Sequence, residues 1–169
     1  RLNDILDAVL AYHPKADLDV IRKAYVYSAK VHAGQVRKTG EPYLIHPLAV
    51  ANILAHLKLD ESSVVAGLLH DTVEDTETSF DELEAHFGKT VRDIVAEVTD
   101  DKSLPKAERK RLQVEHARHA SSSAKLIKLV DKICNVTDVI EHPAADWSTA
   151  RRLEYIAWAE EVVAGCRGT

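Results

Sequence analysis

An almost wholly apolar segment, residues 61–75, ends in four ionisable residues, His70, Asp71, Glu74 and Asp75. Apolar side chains occur on every face of a helix drawn with about 3.6 residues per turn. A helix that is apolar all round must be buried, so the segment predicts a central helix against which the rest of the chain packs. The ionisable residues at its end are the first candidates for a functional site.

The rest of the chain also has the period of helices, and no segment alternates as a half-buried strand would. Only 6 glycines and 5 prolines occur in 169 residues, so few turns are available. We therefore predict an all-α fold, a bundle of about eight to ten helices in a single domain over residues 1–169. The predicted helices cover Leu2 to Pro14, Leu18 to Ala33, Pro47 to Leu57, residues 61–75, Ser79 to Gly88, residues 89–99, a basic segment after Pro105, residues 123–141, and Ala150 to Gly165.

Composition excludes several classes of protein. The net charge of -5 argues against general nucleic-acid binding. The longest apolar runs, of about six residues, are far shorter than the ~20 that a membrane span requires, and no secretory signal is expected. Cys134 and Cys166 make no disulfide framework, which fits a cytoplasmic location. The sequence leaves the oligomeric state open.

Four polar residues stand where apolar helices should have none: His46, His70, Asp71 and Asp131. Buried ionisable groups are costly unless they are paired or bind a metal. Two imidazoles and two carboxylates suit an octahedral divalent ion with open positions, so Mn²⁺ or Fe²⁺ fits better than structural Zn²⁺. The alternative is that each residue is a hydrogen-bonded polar group of the core.

The order His46, His70-Asp71, Asp131 resembles the H…HD…D signature of the HD metal-dependent phosphohydrolase superfamily. The stretches Arg37–Pro47, Leu68–Thr76 and Asp131–Asn135 are similar to the hydrolase domain of RelA/SpoT homologues, above all the stand-alone small alarmone hydrolases of the metazoan SpoT type. The resemblance covers nearly the whole chain. It implies an enzyme that binds one Mn²⁺ per chain through these four residues and removes the 3′-pyrophosphate of (p)ppGpp.

Glu74 and Asp75 are the candidate catalytic residues. Each lies four residues after a proposed ligand, on the same face of a continuous helix and within reach of water at the metal. The resemblance implies that this pair supplies the acid/base group and the water-positioning group. The alternative is a solvated helix end, although acids at a C-terminus oppose the helix dipole.

Substrate-binding residues are implied by the same resemblance. Arg37 and Lys38 would cradle the guanosine, Asn135 would bind sugar or phosphate, and Arg151 and Tyr155 would form a wall of the site. The alternatives are a surface loop for the first two and packing or a salt bridge for the last two. A basic run is expected to be mainly a solvated helix face, although it could attract a nucleotide: Lys102, Lys106, Arg109, Lys110 and Arg111.

Three functions remain possible at this point. The first is Mn²⁺-dependent hydrolysis of (p)ppGpp to GDP or GTP and pyrophosphate. The second is another nucleotide phosphohydrolase activity at the same site, such as NADPH 2′-phosphatase. The third is a non-catalytic alarmone-binding protein, against which the complete ligand set and the pair Glu74 and Asp75 argue.

Overall fold

Ten α-helices make up the fold, in a computed structural model that describes all 169 residues. A single antiparallel bridge, between Val36 and Pro42, is the only β pairing. The all-α prediction is confirmed, and no helix is both long enough and apolar enough to cross a membrane. The helices are α1 Leu2–Tyr12, α2 Leu18–Val31, α3 Ile45–His56, α4 Glu61–Leu69, α5 Thr72–Asp75, α6 Phe80–Phe87, α7 Lys89–Val98, α8 Lys106–Ala117, α9 Ser122–Glu141 and α10 Thr149–Gly165.

The central helix is α4, which is buried from Ser63 to Leu69 and packs against α2, α3, α7 and α9. The predicted continuous helix over residues 61–75 is wrong, because α4 ends at Leu69 and a separate turn, α5, begins at Thr72. Two side chains explain the break. The His70 ring bonds the Gly67 carbonyl at 2.7 Å, and the Thr72 hydroxyl donates to the Leu69 carbonyl at 2.7 Å. Both carbonyls would otherwise accept from amides four residues further on.

Two other boundaries differ from the prediction. Helix α3 begins at Ile45 rather than Pro47, which lies in its first turn, where no hydrogen bond from a proline nitrogen is needed. Ser79-Phe-Asp-Glu82 has the sequence of a capping box at the start of α6, and the box is half formed. The Ser79 hydroxyl accepts from the Glu82 amide at 3.1 Å, but the Glu82 carboxylate accepts from the Tyr27 hydroxyl instead.

A main core of 20 buried apolar residues joins helices α1 to α4, α6 and α7 to α9. A second, small cluster joins α8 to α10 through Ala117, Val162 and Cys166. Helix α9 packs against both α3 and α10, so its middle lies between the main core and the second cluster. The helices that carry His46, His70 and Asp131 therefore meet at one end of the main core.

Close packing of α3 on α4 depends on Gly67. A Cβ atom added there would lie 2.5 Å from Leu54 Cδ1, inside van der Waals contact. We expect Gly67→Ala to destabilise the metal-free protein by about 1–2 kcal/mol, because overpacking outweighs the helix propensity of alanine. In a Leu54→Ala background the same change should stabilise the protein by about 0.5–1 kcal/mol, since the clash is gone. Urea unfolding of the four proteins measures both effects. Equal destabilisation in both backgrounds would contradict the packing argument.

Candidate active site

Three of the four predicted metal ligands, His46, His70 and Asp131, form one cluster, and the fourth, Asp71, reaches its histidines from a neighbouring group of carboxylates. His46 lies in the first turn of α3, His70 and Asp71 lie in the break between α4 and α5, and Asp131 lies in the middle of α9. His46 Nε2 is 2.8 Å from Asp131 Oδ1 and 3.8 Å from Asp71 Oδ2. His70 Nε2 is 3.1 Å from Asp71 Oδ2 and 3.4 Å from Asp131 Oδ1. Neighbouring ligands of an octahedral ion with bonds of about 2.1 Å are about 3 Å apart, so these spacings fit one divalent ion.

The protonation of His70 supports a cation at this point. Its Nδ1 bonds the Gly67 carbonyl, so Nδ1 carries the proton and Nε2 carries a lone pair in the neutral ring. The buried Nε2 has no hydrogen-bond partner, although two carboxylate oxygens lie close to it. Positive charge must therefore lie between this nitrogen and the carboxylates, either as a proton on Nε2 or as a metal ion. Burial alone would lower the pKa of His70, but Asp71 and Asp131 outweigh it and raise this pKa well above its usual value.

Each carboxylate of the cluster has further partners that orient it. Burial alone would raise the pKa of Asp131, but Lys132, with its ammonium 3.1 Å from Oδ2, and the two imidazoles hold this pKa well below its usual value. The Asn135 amide donates to Asp131 Oδ1 at 3.1 Å. Asp71 Oδ2 lies 2.9 Å from the Tyr43 hydroxyl oxygen, whose single hydrogen is donated over the shorter distance of 2.6 Å to Asp75. Supports of this kind fix the geometry and basicity of metal ligands.

Glu74 and Asp75 lie beside the ligand cluster. One carboxylate oxygen from each of Asp71, Glu74 and Asp75 lies within 4.8 Å of the others. The continuous helix expected from His70 to Asp75 is not formed. Within α5, however, the Asp75 amide donates to the Asp71 carbonyl at 2.9 Å, as in an α-helix, so Asp71 and Asp75 share a face as predicted.

The two residues of the pair have different surroundings. Burial raises the pKa of Glu74 to about 7, although the Asp100 amide donates to its Oε1 at 2.7 Å. Asp75 accepts from the Tyr43 hydroxyl at 2.6 Å and from the Lys102 ammonium at 2.9 Å. Glu74 is therefore suited to exchange a proton near neutral pH, whereas Asp75 is held in place by donors.

A cavity of about 510 Å³ opens over the cluster. Of the predicted substrate-binding residues, Arg37, Lys38, Asn135 and Tyr155 line it. Arg151 does not line it but stacks on the ring of Trp147 at 4.2 Å, so it supports the wall from outside. The Arg37 guanidinium pairs with the Asp138 carboxylate and donates to Asn135 Oδ1 at 3.1 Å, which orders the loop against α9.

The basic run divides between the cavity and the surface. Lys106, Arg109 and Lys110 line the cavity, so the expectation of a solvated face is wrong for these three. Lys102 pairs with Asp75, and only Arg111 lies on an outer face, where it pairs with the acidic side chains of its own helix. The division follows from the helical period, because one face of α8 points toward α10 and the opposite face points outward.

Four further residues line the cavity and were not predicted from the sequence: Tyr43, Lys132, Trp147 and Trp158. Tyr43 and Lys132 are inside the motifs that carry the resemblance, and Trp158 is inside residues 154–159, which also resemble the small alarmone hydrolases. Trp147 has no such signal. The His32 ring stacks on Tyr43 at 4.6 Å, behind the cluster.

We expect one divalent ion to bind per chain and His70→Ala to abolish binding, whereas His119→Ala, an exposed histidine outside the cluster, should change nothing. Because the pKa of His70 is raised in the ion-free protein, a proton competes with the ion near neutral pH. Affinity should rise with pH through this range, with release of about one proton per ion at pH 7. Titration calorimetry in buffers of different ionisation enthalpy measures both. Stoichiometric metal in His70→Ala would contradict the assignment.

Comparison with known proteins agrees with this geometry. The family model of the HD domain matches residues 24–159. The guanosine-3′,5′-bis(diphosphate) 3′-pyrophosphohydrolase MESH1 of Xenopus tropicalis is 53% identical over 158 residues, which cover 91% of this chain and 88% of the relative. MESH1 of Homo sapiens is 53% identical over 147 residues, which cover 85% of this chain and 82% of the relative.

A solved structure is also similar. It is described as a metazoan ortholog of SpoT that hydrolyses ppGpp and plays a role in starvation responses. It has a TM-score of 0.86 and 45% sequence identity, and the match covers 89% of this chain and 86% of that one. The chain therefore belongs to the HD domain family, among the relatives of SpoT that the sequence motifs had indicated.

Proposed function

We propose that this protein is a Mn²⁺-dependent enzyme that hydrolyses the 3′-pyrophosphate of (p)ppGpp and releases GDP or GTP and pyrophosphate. The observation that carries the proposal is the contact between two clusters, His46 with His70 and Asp131, and Asp71 with Glu74 and Asp75. Asp71 Oδ2 joins them at 3.1 Å from His70 Nε2, and the pKa of Glu74 is raised to about 7. The relatives named as 3′-pyrophosphohydrolases of this nucleotide support the substrate. Their names also agree with the prediction of an enzyme rather than a binding protein.

His46, His70, Asp71 and Asp131 would hold the ion. Mixed nitrogen and oxygen ligands in this ratio favour Mn²⁺ or Fe²⁺ over structural Zn²⁺, and we propose Mn²⁺. A divalent cation supplies Lewis acidity, which lowers the pKa of water and offsets the negative charge at the attacked phosphorus.

The chain's own residues would do the rest of the chemistry. Glu74 would take the proton of the attacking water, since its raised pKa places proton exchange near neutral pH. Asp75, held by Tyr43 and Lys102, would fix the orientation of that water. Burial of the cluster keeps these groups in one geometry, so little reorganisation is needed during the reaction.

The cavity suits a guanine nucleotide with several phosphates. Lys106, Arg109 and Lys110 bring positive charge to one wall, where a diphosphate group would bind. Arg37 and Lys38 would contact the guanosine, and the Tyr155 ring offers an aromatic face. We propose Asn135 as a contact to the ribose, since it lies one helical turn from Asp131 and at the cavity wall.

The two alternatives have less support. Nothing in the site geometry favours NADPH 2′-phosphatase activity, and the names of the relatives give it no support. A protein that only binds alarmones would not need the half-buried carboxylates of Glu74 and Asp75 next to the proposed ligands, because acids facing an anionic nucleotide weaken binding.

Product analysis tests the substrate assignment. With Mn²⁺ and ppGpp, we expect equal amounts of GDP and pyrophosphate, because the attacked phosphorus is the one attached to the 3′ oxygen. Anion-exchange chromatography and a pyrophosphate assay measure both products. The same preparation is incubated with NADPH and with dNTPs. Orthophosphate as the sole product, or turnover of NADPH alone, would contradict the proposal.

Glu74→Gln tests the acid/base role. The amide keeps the shape of the side chain and can still accept from the Asp100 amide, but it cannot take a proton. We expect the turnover rate to fall about 10²–10⁴-fold. Mn²⁺ affinity should be unchanged, and nucleotide affinity should be unchanged or tighter because one negative charge is lost. Glu77→Gln, in the exposed loop three residues later, is the matched control. Near-normal turnover in Glu74→Gln would remove this residue from the mechanism.

A further inference from the structure

Helix α5, which carries Glu74 and Asp75, is too short to hold its own position. Its four residues are held by two backbone hydrogen bonds, from the Asp75 amide and from the Thr76 amide. A single helical turn gains little from its own bonds, because forming it fixes several residues for each bond made. The carbonyls at its C-terminal end also lack amide partners. The position of Asp75 therefore depends on contacts from other parts of the chain.

One of these contacts comes from Gln35, at the base of the 35–43 loop, which carries Arg37 and Lys38. The Gln35 side-chain amide donates to the Asp75 carbonyl at 2.9 Å, and it is the one hydrogen bond that the backbone of α5 receives from a distant part of the chain. The Gln35 carbonyl accepts from the Tyr43 amide at 3.0 Å, and the Tyr43 hydroxyl donates to the Asp75 carboxylate. Gln35 is thus tied to both the backbone and the side chain of Asp75.

The orientation of the Gln35 amide is fixed by His32. A carbonyl can only accept, so the amide nitrogen of Gln35 faces Asp75 and the amide oxygen faces His32. His32 Nδ1, 3.0 Å from that oxygen, must therefore carry the proton and donate. The ring is only 3% exposed and its Nε2 has no partner. Burying an imidazole is costly, and the bond to Gln35 is the one hydrogen bond that this ring makes.

The tip of the 35–43 loop is held without the Gln35 side chain. The Arg37 amide donates to the Glu41 carbonyl at 2.8 Å, and a β bridge joins Val36 to Pro42. The Arg37 guanidinium also donates to Asn135 Oδ1 at 3.1 Å. Removing the Gln35 amide should therefore release Asp75 while the loop residues proposed to contact the nucleoside keep their places.

We propose that Gln35 is a positioning residue, which holds Asp75 in place for the attacking water and is itself oriented by His32. The inference rests on the proposed hydrolysis, in which Asp75 orients that water. Gln35 lies at the base of the loop that would bind the nucleoside, so it also fixes Asp75 relative to the bound nucleotide. Misplacing reacting groups by about 1 Å can lower a rate about 100-fold.

The test uses Gln35→Met in the full chain loaded with Mn²⁺. Methionine keeps the length of the side chain and removes its amide. We expect kcat for ppGpp to fall about 10–100-fold, with KM within about threefold, because Gln35 acts on the reacting geometry rather than on nucleotide binding. Ala33→Met is the matched control. It adds the same side chain at an exposed position two residues earlier, outside the main cavity of about 510 Å³, and should leave both constants unchanged.

A double-mutant cycle separates positioning from general structural support. In an Asp75→Ala background, Gln35→Met should change the single-turnover rate by less than about twofold, because no carboxylate remains to be misplaced. A general structural defect would instead lower the rate by the same factor in both backgrounds.

Two variants of His32 test its part. His32→Asn keeps an amide donor for Gln35, whereas His32→Phe keeps a ring against Tyr43 but has no donor. We expect His32→Asn to retain the higher kcat, since the role of the ring is to donate to Gln35.

Crystal structures give a readout that does not depend on activity. In Gln35→Met the Asp75 carboxylate should move away from the Tyr43 hydroxyl, and in Ala33→Met it should stay in place. Four results would overturn the proposal: normal kcat in Gln35→Met, an equal loss in the Asp75→Ala background, a higher kcat in His32→Phe than in His32→Asn, or an unmoved Asp75 in Gln35→Met. If the unchanged protein does not hydrolyse ppGpp, the substrate assignment fails. Displacement of Asp75 in Gln35→Met would still support the positioning role, and an unmoved Asp75 would still contradict it.

Discussion

The hydrogen bond from His70 to the Gly67 carbonyl is the interaction on which the rest of the site depends. The ring takes the place of the backbone amide that would otherwise donate to this carbonyl, and so it contributes to the end of α4. It also fixes the ring tautomer, so that a lone pair faces Asp71 and Asp131. The cluster that results, buried and rich in carboxylates, needs positive charge, which an ion or a proton must supply. The helix break and the metal centre are therefore one feature.

The fold separates the metal centre from the substrate-facing wall. The ligands come from helices that pack in the main core, where close contacts such as Gly67 on Leu54 leave little freedom. The wall that carries Lys110, Tyr155 and Trp158 belongs to α8 and α10, which share only a small cluster of their own. Because the wall packs separately from the rigid centre, side chains of the wall can be substituted without displacing the proposed ligands.

The charge of the main cavity differs from that of the whole chain. The chain has a net charge of -5, yet the cavity is lined by lysines and arginines as well as by carboxylates. The Trp158 ring lies near two ammonium groups, Lys132 at 4.6 Å and Lys110 at 4.9 Å. Aromatic faces of this kind stabilise cations that would otherwise repel each other. Since the Lys132 ammonium is also 3.1 Å from Asp131, positive charge lies directly beside the candidate metal centre.

The sequence by itself determined the all-α class, most helix boundaries and which ionisable residues to propose as ligands, because helical period and buried ionisable residues are local signals. Only the tertiary structure decided where α4 ends, since the carbonyls of Gly67 and Leu69 are taken by side chains rather than by amides. It also decided that Lys106 and Arg109 face the cavity, and that Trp147 and Lys128 lie near the site. These placements depend on how α8, α9 and α10 pack together, and a helical period gives the face of a residue but not the neighbour that the face meets.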